Sequence, residues 1–136
     1  MIKLICVGKI KEKYLLEAIR EYEKRLSKYT KLDIIEVSDI DNPNIDIKDY
    51  VITLEIEGNM LSSRELAFKI DSIFNTHSNI TFIIGGSYGL HNDIKNRSNY
   101  KLSFSKLTFP HQLFRVNLLE QIYRVFKINN NESYHK

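Results

Sequence analysis

The sequence is short of cysteine, of long apolar runs and of net charge, and each shortage closes off a class of protein. Cys6 is the single cysteine in 136 residues, so no internal disulfide can form. Its place in the run Leu4-Ile5-Cys6-Val7 fits a buried, inert thiol and a reducing cytoplasm. That run stops at Gly8-Lys9, far short of a signal-peptide core or a membrane span. A formal net charge of +3 is too small by itself to argue for a nucleic-acid partner. Internal repeats, low-complexity tracts and an interdomain linker are also lacking, so a single domain spanning residues 1–136 is expected.

The charges are unevenly distributed. From Asp33 to Glu57 eight acids face Lys48 alone, whereas from Ile94 to Lys136 eight Lys and Arg residues face only Glu120 and Glu132. A fold that separates the two segments gains one basic face, and RNA is the partner that would exploit it through phosphate contacts.

Apolar periodicity alternates between short β-branched runs and longer helical stripes. Residues 2–7, 32–37, 51–56 and 80–84 are rich in Ile and Val and predict four strands. Leu15, Ile19, Tyr22 and Leu26 lie at helical spacing within residues 12–29. A second helix is marked by Ser62 as cap, Glu65 as its capping-box partner, a Leu61/Leu66 staple and the stripe Leu66, Ile70, Ile73 and Phe74. A last helix begins near Pro110, in whose first turn a missing amide hydrogen costs nothing, and runs to about Ile128. The pattern predicts an α/β fold, a mostly parallel sheet with helices on both faces. Residues 38–50, acidic and turn-rich around Asn42-Pro43-Asn44, break the alternation and read as a loop long enough to cross between separated parallel strands.

Two strand ends carry the chemistry. The strand over 80–84 runs into Gly85-Gly86-Ser87-Tyr88-Gly89, a G-G-x-x-G spacing that matches neither the dinucleotide fingerprint nor the nucleoside-triphosphate loop. Glycines there permit a tight strand-to-helix turn, or let a ligand touch the backbone. The second is Leu102-Ser103-Phe104-Ser105-Lys106-Leu107-Thr108-Phe109-Pro110, a shaped loop joining strand to helix. Open α/β sheets bind ligands where such strand ends converge. The last helix is apolar on more than one side, and a twofold homodimer would cover the remainder. Arg124, four residues after Glu120, reads as a surface ion pair or a phosphate contact, and the terminal Tyr134-His135-Lys136 as a frayed tail or a site element.

Four segments taken together, IIGGSYGL, LSFSKLTFPHQLFR, LLEQIYRVFKI and the terminal YHK, resemble the RlmH family of SPOUT-class RNA methyltransferases, and VGKIKEKYLLEAIREYEKRL extends the likeness to nearly the whole chain. The resemblance implies a SPOUT fold with a C-terminal trefoil knot, an obligate homodimer, S-adenosyl-L-methionine as cofactor, no metal, and methylation of N3 of a pseudouridine in 23S ribosomal RNA. It implies cofactor contacts at Leu54, Gly85 and the run Phe104, Ser105, Lys106, Leu107, Thr108 and Phe109. His135 then becomes a candidate proton acceptor, Tyr134 a stacking or hydrogen-bonding partner of the base, and Arg124 a holder of phosphate or base, with Arg115 and Lys127 as further candidates. Relatives carry an additional helix between the second and third strands, where this chain has the acidic stretch 38–50. Two other readings keep the same fold: a non-catalytic RNA-binding module and a small-molecule methyltransferase.

Overall fold

Among the described residues the alternating pattern becomes five strands and four helices: β1 (Ile2–Val7), α1 (Lys13–Leu26), β2 (Leu32–Val37), β3 (Tyr50–Met60), α2 (Ser63–Phe74), β4 (Ile80–Ile84), α3 (Asn92–Arg97), β5 (Tyr100–Ser103) and α4 (His111–Asn129). The structure is a computed structural model and describes residues 1–38, 45–86 and 89–134. The sheet order is β2-β1-β4-β3-β5, and every pairing is parallel. Because β1 and β4 separate β2 from β3, the acidic connection crosses two strands, as its length allows. Central parallel strands are covered on both faces, which is why β4 is buried at every position.

The two faces are covered unequally. On one, Ile2, Leu4, Ile52, Ile80, Phe82 and Leu102 pack against apolar stripes of α1, α2 and α4, and α4 contacts both other helices. On the other, Ile5, Val51 and Ile83 pack against Ile94 of short α3, with Val7, Ile35, Val37, Ile45 and Leu90 at the margin among the described residues. Polar groups complete that second face. The carboxylate of Asp49 is buried and accepts from Lys3 Nζ at 3.0 Å, Thr81 Oγ1 at 2.9 Å and Asn79 Nδ2 at 3.3 Å. Burial pushes its pKa up, but these bonds outweigh burial and hold it below the ordinary carboxylate value. Arg97 donates to the carbonyls of Asp46 and Asp49 at 3.0 and 2.9 Å, pinning the end of the acidic stretch there. The part of the 38–50 loop at 39–44 lies outside the described residues.

Local expectations resolve in detail. Ser62 and Glu65 form both bonds of the capping box, at 3.1 and 2.8 Å, a cap of about 1 kcal/mol. α1 stops at Leu26 instead of Tyr29, because Tyr29 turns to stack on Phe126 of α4 at 5.8 Å and donates to Glu132 at 2.8 Å. Pro110 is the N-cap of α4 with ψ of 126°, not a first-turn residue; its carbonyl accepts from Phe114 N–H at 2.9 Å. The third strand runs on to Met60, four residues past its expected end. The reason for that extension shapes the site.

Candidate active site

β3 and β5 pair in register at Leu54 and Leu102, and then Asn59 pairs with Leu102 again, so residues 55–58 bulge out of the ladder. Only glycine lets the strand return: a Cβ at Gly58 would stand 2.8 Å from the Lys101 carbonyl. The bulge is tied to the loop after β5 by Ser103. Its buried Oγ lies 2.8 Å from the Ile56 carbonyl and 3.0 Å from that of Ser105, so one hydroxyl proton bridges both segments. Leu107 N–H donates to Ser105 Oγ at 3.0 Å, tightening the loop. Both ends of the loop are clamped to α4 by rings, Phe104 edge-on to Phe114 at 4.8 Å and Phe109 at 5.6 Å from the same ring.

The glycine turn after β4 closes the third side. A Cβ at Gly85 would lie 2.8 Å from the backbone of Gly89, whose amide donates to the Gly86 carbonyl at 3.0 Å. Between bulge, turn and loop lies a cavity of about 550 Å³ at the C-terminal ends of β3, β4 and β5. Leu54, Gly85, Phe104, Ser105, Leu107, Thr108 and Phe109 all line it. Lys106 is exposed and does not. The sequence reading missed Glu55, Glu57, Lys95, Ser103 and His111 in the same wall. Glu55 accepts from Thr53 Oγ1 at 2.7 Å and stands 4.0 Å from Lys95 Nζ. No local pattern announces a bulge, so Glu55 looked like an ordinary strand residue and Glu57 like the first residue past the strand.

α4 carries two arginines with different surroundings. Arg115 is buried; its Nη1 donates to Glu36 at 2.6 Å and its Nη2 to the Gly8 carbonyl at 3.1 Å, so it joins the helix to the ends of β1 and β2. Burial raises the Glu36 pKa, but the Arg115 bond and the Ile10 amide outweigh it and hold the carboxyl below its usual value. An arginine enclosed in this way is unavailable to RNA, which removes it from the phosphate-binding candidates. Lys127 is likewise engaged, 3.2 Å from Glu132. Arg124 donates to Glu120 Oε2 at 2.8 Å and lies 4.6 Å from the ring of Tyr134, whose hydroxyl donates to the same oxygen at 2.9 Å. Burial first, then the Glu120 bond, pushes the Tyr134 hydroxyl above the ordinary tyrosine pKa. From His111 at the cavity to Arg124, helical rise alone is about 20 Å. Within one chain the Arg124–Tyr134 cluster therefore stands apart from the cavity. His135 lies outside the described residues.

Comparison with known proteins agrees with this architecture. The family described as "Predicted SPOUT methyltransferase" matches residues 1–135. The chain is 52% identical to the ribosomal RNA large subunit methyltransferase H of Clostridium botulinum (strain Alaska E43 / Type E3), covering 99% of each chain, and equally so to its namesake in Clostridium novyi (strain NT). These alignments run over 157 positions against the 136 residues of this chain, so at least 21 of them face no residue here. In fold the chain is similar to a probable methylase family protein of Haemophilus influenzae Rd KW20, with a TM-score of 0.67 at 15% identity over 99% of this chain and 70% of that one. It is also similar to the tRNA (m1G37) methyltransferase of Aquifex aeolicus, with a TM-score of 0.54 at 13% identity over 92% and 70%. A full-length family match, relatives identical at half of all positions and a parallel sheet with its cavity at the strand ends lead to one conclusion: this chain belongs to the SPOUT methyltransferases, and among them to the RlmH family.

Proposed function

We propose that this protein is a cytoplasmic, S-adenosylmethionine-dependent methyltransferase acting on N3 of a pseudouridine in 23S ribosomal RNA. The observation that carries the reading is the cavity at the ends of β3, β4 and β5, lined by Leu54, Gly85 and the ring-clamped loop after β5. Its volume suits a ligand of nucleoside size. Its chemistry fits the cofactor. Leu54 and Leu107 offer apolar contact to adenine, the backbone of Phe104 to Phe109 offers donors and acceptors to the ring edge, and Glu55 and Glu57 favour a cationic ligand. The steric limit at Gly85 keeps side-chain atoms out of that wall. Bound there, S-adenosylmethionine supplies a methyl group already activated on its sulfonium.

The protein's own task is to bring the base to that methyl and to remove the N3 proton. A ring nitrogen of His135 is the proposed acceptor. Tyr134 presents a ring to the base, and Arg124, held by Glu120, supplies positive charge beside it. Because this cluster stands off from the cavity of its own chain, a twofold homodimer would complete the site with the tail of the second subunit. Among the described residues Leu107 and Leu113 beside the cavity, and Ile56 and Met60 on the extended β3, are exposed apolar groups for such an interface. The missing 21 or more positions belong, on this reading, to the helix that relatives carry at the acidic stretch, leaving the second sheet face to α3.

Calorimetric titration with S-adenosylmethionine, light scattering, and transfer of labelled methyl to free large subunits, assembled ribosomes and naked RNA test the proposal together. Cofactor binding by a dimer and label on one pseudouridine are expected. A folded protein that binds no cofactor overturns the enzyme reading, and a His135→Ala protein that methylates at the normal rate overturns the proton-transfer role.

A further inference from the structure

The basic C-terminal half that the sequence offered to RNA is largely committed inside the fold. Arg97 holds backbone carbonyls, Arg115 is buried against Glu36, Arg124 lies on Glu120 and Lys127 on Glu132. Apart from the exposed Lys101 and Lys106, available charge gathers on the loop between β1 and α1 and at the first residue of α1. Lys9, Lys11 and Lys13 are all exposed there. Among the described residues neither Lys9 nor Lys11 has a carboxylate within 4.0 Å, and Lys13 reaches Glu17 only at 4.0 Å with both side chains largely in water. Such a pair is worth little and is readily exchanged for a phosphate. Beside them Tyr14 is 64% exposed and makes no ring contact among the described residues.

The backbone beneath these side chains is held unusually firmly for a surface loop. Gly8 N–H donates to Val37 at 2.8 Å, and the Gly8 carbonyl takes Arg115 Nη2. Ile10 is buried and its amide donates to Glu36 at 3.1 Å. The Lys9 carbonyl accepts from Gln112 Nε2 at 3.2 Å. The last contact fixes the location. Gln112 follows His111, which lines the cavity, so the lysine loop flanks the cavity on the first turn of α4. A buried arginine and a glutamate are thus employed to hold rigid a loop whose Lys9 and Lys11 side chains are exposed on either side of buried Ile10.

We infer that Lys9, Lys11, Lys13 and Tyr14 form the surface that grips the RNA strand beside the target base, the lysines on phosphates and the tyrosine ring on an unpaired base. Compact ammonium charges suit phosphates, and an exposed ring among them is the stacking platform of single-stranded recognition. The inference rests on the ribosomal RNA reading given above and adds to it the place where the RNA lies.

The test begins with wild-type protein, cofactor titration and methyl transfer to the large ribosomal subunit. Wild-type protein that binds cofactor but methylates no RNA overturns the underlying reading before any variant is made. With wild-type activity in hand, K9E/K11E is expected to raise the KM for the subunit about tenfold or more near 0.1 M salt, with cofactor affinity unchanged. The slope of log affinity against log salt should fall by about 1.4, two phosphates at about 0.7 each. Tyr14→Ala should weaken subunit binding about tenfold, and Tyr14→Phe should retain it. K9R/K11R restores the wild-type KM if charge is the agent, and Lys24→Glu, at the other end of α1, leaves it unchanged. Variants K9E/K11E and Tyr14→Ala that titrate the subunit like wild type, or that weaken cofactor and subunit binding equally, overturn the inference.

Discussion

The two ends of α4 use the same residue type in opposite ways. At the first turns Arg115 is removed from water and fastens the helix to β1 and β2 through Glu36 and Gly8. Nine residues later Arg124 stays partly in water and shares Glu120 with Tyr134 of the chain's own tail. Burying a guanidinium is costly unless its partners are in place, so the first arginine makes structure obligatory at the cavity. The second is paired within its own helix and beside the tail, in the cluster proposed above to meet the substrate. One end is fastened into the core, and the other is the end proposed for encounter.

That contrast is tested most severely at Arg115. Arg115→Met takes the guanidinium from the Gly8 carbonyl and from the Glu36 carboxylate, which keeps only the Ile10 amide, and urea unfolding should show a loss of about 3 kcal/mol, held below the fully enclosed case because Glu36 still reaches water. Arg124→Ala should do the reverse, lowering the rate of methyl transfer about a hundredfold while costing under about 1 kcal/mol of stability. An Arg124→Ala protein that unfolds as easily as Arg115→Met would erase the distinction.

Acid and alkali should loosen different ends. The Glu36 carboxyl is held below its ordinary pKa, so its contribution is complete above about pH 5 and is lost as pH falls through the lowered folded value. Tyr134 is shifted the other way, so its contribution is complete below about pH 10 and is lost as pH rises toward its raised folded value. Unfolding measured across pH should therefore lose part of its acid limb in Glu36→Gln and part of its alkaline limb in Tyr134→Phe. The carboxyls of Asp49, Glu65 and Glu132, also held low, keep part of the acid limb in both. The smallest effect is expected at Cys6, where burial pushes the thiol up to about 12 with Arg115 opposing only in part. An aromatic disulfide reagent at pH 8 should leave the folded protein unmodified; rapid labelling would mean that the Arg115 end opens far more often than its packing implies.

What was legible in the sequence was whatever depends on neighbours along the chain. The Ile- and Val-rich runs declared four strands, Ser62 and Glu65 declared a helix start to the residue, and the stripe Leu15, Ile19 and Leu26 is the buried side of α1. The run Phe104 to Phe109 stood out because its residues are consecutive, and all of them but Lys106 line the cavity. α3 was overlooked because a six-residue helix has too little periodicity to be seen. Glu55 and Glu57 were overlooked because the bulge that turns them into cavity wall is created by the register of β3 against β5, a strand more than forty residues away. Arg115 was misjudged because an arginine in a basic segment has the same appearance whether it meets phosphate or a buried glutamate.

The sequence by itself determined the alternation of elements, their caps, and the residue types available at the two strand ends, since these follow from local spacing and backbone preference. The tertiary structure alone decided which charges are committed and which are free. A charge's availability depends on what lies within about 4 Å of it, and for Arg115 and Arg97 those neighbours come from distant parts of the chain.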